Sequence, residues 1–149
     1  MNASTLMNQT LFEKKRTPEG EAPLDLNESL LDLVRLRIVQ IHKCRSCMEE
    51  HTKELKAHGE TDLRIRLLKN WRNQAVFSDR EEAALNLAEA MTYQPIDSVP
   101  TEDLHIARLF FNESEMICLT LAILAVNDWH YLNLKSASNG SKTKRPPHE

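Results

Sequence analysis

Two cysteines and a histidine stand close together in a stretch that otherwise predicts a helix. Cys44 and Cys47 form a CxxC pair, and His51 lies one helical turn further along. Residues three and four apart are neighbours on a helix surface, so the three side chains are expected on one face. The first-turn N–H groups and the helix dipole favour a thiolate there, and His51 can accept or relay a proton. The sequence therefore predicts a redox dithiol.

Each cysteine can be given a role in this chemistry. A thiolate attacks the O–O bond of a peroxide or the sulfur of a disulfide, and the second thiol resolves the adduct. Cys47 is closer in sequence to His51, so we expect Cys47 to be the attacking thiol and Cys44 the resolving thiol. This reaction requires no bound cofactor and no metal.

Two other interpretations of the pair compete with the redox dithiol. A structural zinc site needs four ligands, and the CxxC pair with His51 supplies three, with His42 as a possible fourth. Zinc is disfavoured because the sequence has no second CxxC or HxxxH to close the tetrahedron. The other interpretation is two core cysteines that pack as small hydrophobic residues. A thioredoxin fold is disfavoured, since its motif follows a strand in a βαβ pattern.

Composition and charge exclude some classes of function and indicate where in the cell the protein is expected. The 149 residues suit one domain, and a net charge of −3 with interleaved acidic and basic residues gives no case for nucleic acid binding. No apolar run is long enough to span a membrane, and the N-terminus lacks the apolar core of a signal peptide. We therefore expect a cytoplasmic protein without membrane partners, in a compartment where thiols are kept reduced.

The elements that must position the dithiol are expected to be helices. Only three glycines and few aromatic residues leave little room for strands, so we predict an all-α fold of about six or seven helices. The predicted helices cover residues 5–16, Asn27 to Ile41, the cysteine segment up to Gly59, Thr61 to Trp71, Ser78 to Thr92, a segment from Thr101, and Asn112 to Leu134. The predicted organisation is an N-terminal helix and linker (1–25), a helical domain (26–134) and a disordered tail (135–149).

The last predicted helix is apolar nearly all round, from Met116 to Val126. Such a helix must be wholly buried, and in a chain of this size subunit contact is the expected way to bury it. The sequence therefore predicts a homo-oligomer, the alternative being a monomer with this helix at its centre. His130 could approach the cysteines from this helix, but a core or interface position is the favoured interpretation.

The run DLVRLRIVQIHKCRSCMEEHTKEL resembles the core of the alkylhydroperoxidase D-like, or carboxymuconolactone decarboxylase, family. Small members of that family typically show an acidic residue, LVRLR, a Q-I pair, CxxC and His-Thr-Lys. The resemblance continues through LLKNWRN, FSDREEAALNLAEAMT and LTLAILAVNDW, and covers about residues 26–134. It implies an all-α fold that assembles as a trimer or a hexamer.

The resemblance also implies roles for individual residues. Cys47 corresponds to the peroxide-reducing thiol of the family, Cys44 to the resolving thiol and His51 to the relay histidine. The acidic relay residue, usually Glu, corresponds to Asp32. The alternative for Asp32 is an i,i+3 pair with Arg35 on a solvated face.

The sequence departs from the family pattern around the cysteines. Ser46 stands where many relatives carry Tyr or His, which weakens any relay through that ring, while Arg45 could help to hold a thiolate. The pair His42-Lys43 replaces a common Asn-Gly, so the turn before the motif is expected to differ slightly.

Together, the residues and the resemblance predict a thiol-dependent peroxidase that reduces a hydroperoxide and is reset by an external dithiol or disulfide reductant. One alternative is a carboxymuconolactone decarboxylase-like enzyme, although the retained CxxC pair is not needed for that reaction. The other is a non-catalytic zinc-stabilised or scaffold protein.

Overall fold

The computed structural model describes residues 26–138, with the surroundings of side chains as far as Leu132. Over this range the protein is all-α, as predicted, and shows no strand. The helices are α1 (Glu28–Ile41), α2 (Arg45–Ala57), α3 (Asp62–Leu67), α4 (Asp79–Tyr93), α5 (Thr101–Phe110) and α6 (Glu113–Ser138), with 3-10 segments at Leu68–Asn73 and Ile96–Ser98. Among the described helices, none has the length and apolar content that crossing a membrane requires. The predicted helix over residues 5–16 lies outside the described residues.

The helix starts follow local capping rules. Asn27 accepts a hydrogen bond from the Ser29 N–H at 2.8 Å. Ser78 and Glu81 form the predicted capping box at the start of α4. Asn112 and Glu115 form a second one, with the Glu115 N–H 2.8 Å from the Asn112 Oδ1. Each cap satisfies N–H groups that the helix itself cannot pair, so short-range sequence fixes these boundaries.

Two helix ends differ from the predicted ones. The helix that begins after Thr61 becomes a 3-10 segment from Leu68, and within this segment Asn70 leaves the helical region at φ −122° and ψ 32°. Helix α6 continues to Ser138 rather than ending near Leu134. Residues 135–138 contain neither Gly nor Pro, so nothing local stops the helix there. The remainder of the predicted tail lies outside the described residues.

Helix α1 is the centre of the domain. It packs against α2, α4 and α6, and its buried residues are Leu30, Leu31, Asp32, Leu33, Val34, Arg35, Leu36, Ile38 and Val39. Burying one such leucine fully contributes about 1.5–3 kcal/mol relative to exposure. Because α1 is held on three sides, the turn after it has a fixed position, and that turn leads directly to the cysteine pair.

A carboxylate with 12% of its side chain exposed joins α1 to α4 and to the first 3-10 segment. One oxygen of Glu89 accepts from the Arg37 Nε and from the Trp71 Nε1, both at 2.8 Å. The other oxygen accepts from an Arg72 guanidinium nitrogen at 2.8 Å. Burial opposes the charge most strongly, but the bonds from Trp71, Arg72 and Arg37 together hold the pKa of Glu89 below its ordinary value. We call these four residues the Glu89 cluster.

Helix α6 is buried on one face only. Leu119, Ile123 and Val126 lie in the core, whereas Ile117 is 62% exposed and Leu121 is 56% exposed. The single chain therefore buries only part of this helix, and burial of the remainder by subunit contact stays a prediction. The helix has two apolar faces, of which the fold of one chain covers one. We call the exposed stripe of Ile117, Leu121, Ala125 and Leu132 the open face of α6.

Candidate dithiol site

The two cysteines lie at the N-terminus of α2. Cys44 is the N-cap residue, with φ −84° and ψ 98°, and Cys47 is in the first turn. Their sulfur atoms form a disulfide. No acidic residue occupies the first turn of α2, so the positive end of the dipole is not offset there. In the reduced state this environment favours a thiolate.

The turn before the pair holds one unusual backbone conformation. Lys43 has a φ of 57°, in the left-handed region that favours glycine. This is the position where the resembling family commonly has Gly. The Cys44 N–H donates to the Val39 carbonyl at 3.2 Å, which closes the turn onto the end of α1. The turn therefore differs from the family pattern in that a lysine occupies a backbone conformation that glycine adopts more easily.

The predicted one-face arrangement of α2 is confirmed by burial. Cys47 is 9% exposed, and His51 and Leu55 are also buried. On the other side of the helix Arg45 and Glu49 are exposed. The inward stripe therefore carries the reactive groups and the outward face carries charge.

His51 lies one turn beyond Cys47 on the buried face of α2. Its Nδ1 is 3.4 Å from a carboxylate oxygen of Glu54, its i+3 neighbour. A carboxylate at this position can orient the ring. His51 thus has a nearby group suited to a histidine that takes up a proton.

Asp32 lies in α1 and is 2% exposed. One oxygen is 3.0 Å from an Arg35 guanidinium nitrogen, and the other is 2.5 Å from the His58 Nδ1. The i,i+3 pair with Arg35 is therefore present, but on a buried face rather than a solvated one. His58 is the C-cap residue of α2, so Asp32 also joins α1 to the end of the cysteine helix.

His130 of α6 lies beside the cysteines, although sequence reasoning favoured a core or interface role. Its ring and the two sulfur atoms offer ligand atoms that all lie within 4.8 Å of one another. The ring is 7% exposed. The sequence contains a pattern that predicts this position of His130. Leu119, Ile123, Val126 and His130 are spaced i, i+4, i+7 and i+11, so His130 lies on the buried face of α6.

A second histidine supports His130. The His42 ring stacks on the His130 ring with centroids 4.0 Å apart and planes inclined by 21°. The other side of His42 is fixed by Asn127 of α6, whose Oδ1 is 2.7 Å from the His42 Nε2. Burial lowers the pKa of His130, and the neighbouring His42 lowers it further. The His130 ring is therefore neutral at neutral pH.

The residues between the cysteines lie at the surface. Arg45 and Ser46 are exposed, and the Ser46 Oγ is 3.7 Å from the Cys44 Sγ. The aromatic ring that many relatives carry before the second cysteine is thus absent here, while His130 brings a ring to the pair from another helix.

Sequence comparison relates the chain to known proteins. Residues 14–90 match the sequence model of the carboxymuconolactone decarboxylase family. The uncharacterised protein YdfG of Bacillus subtilis is 32% identical over 109 residues, which are 73% of this chain and 74% of YdfG.

Two solved structures are similar in fold. One is an Agrobacterium tumefaciens protein of unknown function with a suggested antioxidant defence role of the AhpD type. It has a TM-score of 0.70 and 23% identity, covering 96% of this chain and 92% of that one. The other is an uncharacterised peroxidase-related protein from Silicibacter sp. TM1040. It has a TM-score of 0.65 and 16% identity, covering 91% of this chain and 70% of that one. At these identities the likeness shows a shared AhpD-like fold.

Proposed function

The chain belongs to the carboxymuconolactone decarboxylase family, and from that premise we propose that it is a thiol-dependent peroxidase acting through Cys44 and Cys47. The observation that carries the proposal is the disulfide between these residues at the N-terminus of α2. It lies on the helix face that also holds the buried His51. Both solved proteins of similar fold have names that refer to peroxidase or antioxidant roles, which supports the same chemistry.

The reaction begins at the Cys47 thiolate. It attacks the O–O bond of a hydroperoxide, which leaves a sulfenic acid on Cys47 and an alkoxide that takes a proton from His51. The Cys44 thiolate then attacks the Cys47 sulfur, the disulfide forms, and hydroxide leaves and is protonated to water. Two thiolates have lost two electrons, and the O–O bond has gained them.

The disulfide is reset by an external dithiol. Cys44 is partly exposed whereas Cys47 is buried, so the incoming thiolate attacks the Cys44 sulfur and Cys47 leaves as a thiolate. Attack at the accessible sulfur is the ordinary course of thiol–disulfide exchange. The leaving thiolate is then at the end of α2 that favours its charge.

Asp32 is the proposed acidic member of the proton relay. Its bond to His58, a half-exposed ring, would connect the relay to solvent. Asp32 is one methylene shorter than the usual Glu, and Arg35 and His58 already hold both oxygens. Its part in the relay is therefore expected to be indirect, through charge and proton supply.

The test is the loss of free thiols on addition of hydrogen peroxide to the reduced protein, followed by mass spectrometry. Wild type should lose two thiols to the Cys44–Cys47 disulfide, Cys47→Ser should be inert, and Cys44→Ser should stop at a sulfenic acid. Cys118→Ser is the matched control, because Cys118 is the free cysteine of α6, and it should react like wild type. A pair that stays reduced at neutral pH would overturn the proposal, and lactone decarboxylation would then be assayed.

We also propose that the protein is a homo-oligomer, a trimer or a hexamer, with the open face of α6 in the interface. Apart from Asp128, the exposed residues on this face of α6 are apolar, and exposed apolar residues grouped on one face typically mark an interaction site. Leu121→Glu should dissociate the oligomer in sedimentation analysis, whereas Leu63→Glu should not, since Leu63 is similarly exposed but lies on α3. A monomeric wild type, or an unchanged Leu121→Glu oligomer, would contradict this assembly.

A further inference from the structure

Three side chains from two separate helices meet at the dithiol. The Cys44 Sγ, the Cys47 Sγ and a ring nitrogen of His130 lie within 4.8 Å of one another. The two cysteines come from the start of α2, and the histidine comes from the buried face of α6. A CxxC pair on one helix cannot complete a tetrahedral metal site, and here a second helix, α6, supplies a further ligand.

His130 has the properties of a ligand rather than of a packed core side chain. The ring is 7% exposed, and its buried Nδ1 has no hydrogen-bond partner among the described residues. A buried polar atom of this kind normally has a partner. The neutral form of an imidazole carries the lone pair that binds a metal.

The donor set has a clear metal preference. Two thiolates and one neutral imidazole are soft to borderline ligands, which select Zn²⁺ over Mg²⁺ or Ca²⁺. Zinc binds sulfur at about 2.3 Å and histidine nitrogen at about 2.0–2.1 Å. In a tetrahedral site, two atoms bound to the same zinc are thus about 3.5–3.8 Å apart. Once the disulfide is opened, small side-chain rotations would bring all three atoms to these distances.

We propose that the reduced protein binds one zinc ion through Cys44, Cys47 and His130, and that zinc binding and disulfide formation exclude each other. Three protein ligands leave the fourth tetrahedral position to water. His42 is not one of the ligands; its stacking on His130 holds the ring in place. His51 does not belong to this group of ligand atoms either, so the ligand set differs from the one that the sequence suggested.

The exclusion follows from the chemistry of sulfur. Zinc binds thiolates, and a disulfide has none to offer. When a hydroperoxide oxidises the metal-bound pair, two thiolates form the S–S bond, the O–O bond accepts two electrons and two protons, and Zn²⁺, an alcohol and water are released. Zinc would therefore slow oxidation of the dithiol by occupying its thiolates, and oxidation would release the zinc. The proposal goes beyond peroxidase activity and does not require it.

The test is an anaerobic titration of the reduced full chain with Co²⁺, followed by displacement with Zn²⁺. We expect one equivalent of Co²⁺ to give thiolate charge-transfer bands with the intense visible bands of tetrahedral cobalt, and Zn²⁺ to abolish both. The oxidised protein should show neither. His130→Asn should weaken zinc binding by at least about 100-fold, since even changes outside the ligand shell cost 10–100-fold.

Matched variants make the result specific. His105→Asn removes an exposed histidine of α5, and Cys118→Ser removes the free cysteine of α6; both should bind like wild type. His130→Cys should restore tetrahedral cobalt with stronger charge transfer, which keeps the test decisive if His130→Asn folds poorly. Equal affinity in His130→Asn, octahedral cobalt, or equal binding by the oxidised protein would overturn the proposal. Thiol loss with peroxide in metal-free buffer tests the peroxidase separately.

Discussion

The Glu89 cluster and the dithiol site are two polar regions packed against the same central helix, and they are built in opposite ways. Both oxygens of Glu89 accept hydrogen bonds, from Arg37, Trp71 and Arg72. At the dithiol site the His130 Nδ1 is buried without a hydrogen-bond partner among the described residues, and the pair carries no side-chain cap.

This difference indicates separate roles. A buried polar group whose hydrogen bonds are all made holds helices together, because breaking it leaves an unpaired charge in the interior. A buried polar atom without a hydrogen-bond partner is available to bind a proton, a metal ion or a substrate. The Glu89 cluster is thus expected to govern stability and the dithiol site to govern chemistry, and the following changes test that division.

The largest effect is expected from Glu89→Gln. This change leaves the largely buried Arg37 guanidinium without its charged partner, and should lower the free energy of unfolding by about 3 kcal/mol. Chemical denaturation measures it. Glu49→Gln, on the exposed face of α2, is the control and should change stability by less than about 0.5 kcal/mol. If Glu89→Gln unfolds like the control, or if it slows thiol oxidation in the folded state, the division between the two regions fails.

The next effect is expected from His51→Asn. Loss of the proton-transferring ring should slow peroxide-dependent thiol oxidation by about 100-fold, which is about 2.7 kcal/mol in the barrier. It should also remove the histidine limb from the pH–rate profile, which a purely structural role would not do. His105→Asn should leave the rate unchanged. A His51→Asn rate within a few fold of wild type, with an unaltered pH profile, would exclude His51 from the relay.

A smaller effect concerns the pH dependence of stability. Because the pKa of His130 is lowered from 6.5 in the folded protein, the unfolded chain binds the proton more readily. The stability due to the neutral ring is complete above pH 6.5 and is lost as the pH falls toward the folded-state pKa. Wild type should therefore lose more stability in mild acid than His130→Asn does, as measured by denaturation across this range. If the stability of wild type and that of His130→Asn fell equally with pH, the predicted contribution of His130 would be refuted.

The smallest effect is expected at Lys43. Gly at a φ of 57° relieves the left-handed strain of a lysine, and the greater freedom of unfolded Gly offsets part of the gain. Lys43→Gly should therefore raise the free energy of unfolding by roughly 0.5 kcal/mol. Lys53→Gly, the same exchange inside α2, should lower it by about 1 kcal/mol. Equal signs for the two variants would contradict a strained turn at the entrance to the dithiol.

The sequence by itself determined the features that depend on short stretches of chain. Ser78 with Glu81 and Asn112 with Glu115 mark helix starts because capping bonds span only one turn. The inward placement of Cys47 and His51 follows from helical periodicity alone. Resemblance over a longer run identified the family and its all-α fold.

Only the tertiary structure decided which residues from distant segments meet. His130 reaches the cysteines because α6 packs its buried face against α1, and no local rule sets the distance between two helices so far apart in sequence. The same holds for Asp32, whose partner His58 comes from the far end of α2. Likewise, only the packing of the helices decides which apolar face of α6 is buried and which remains as the open face. Helix packing is set by the sum of many weak side-chain contacts, and that sum cannot be read from any single stretch of the chain.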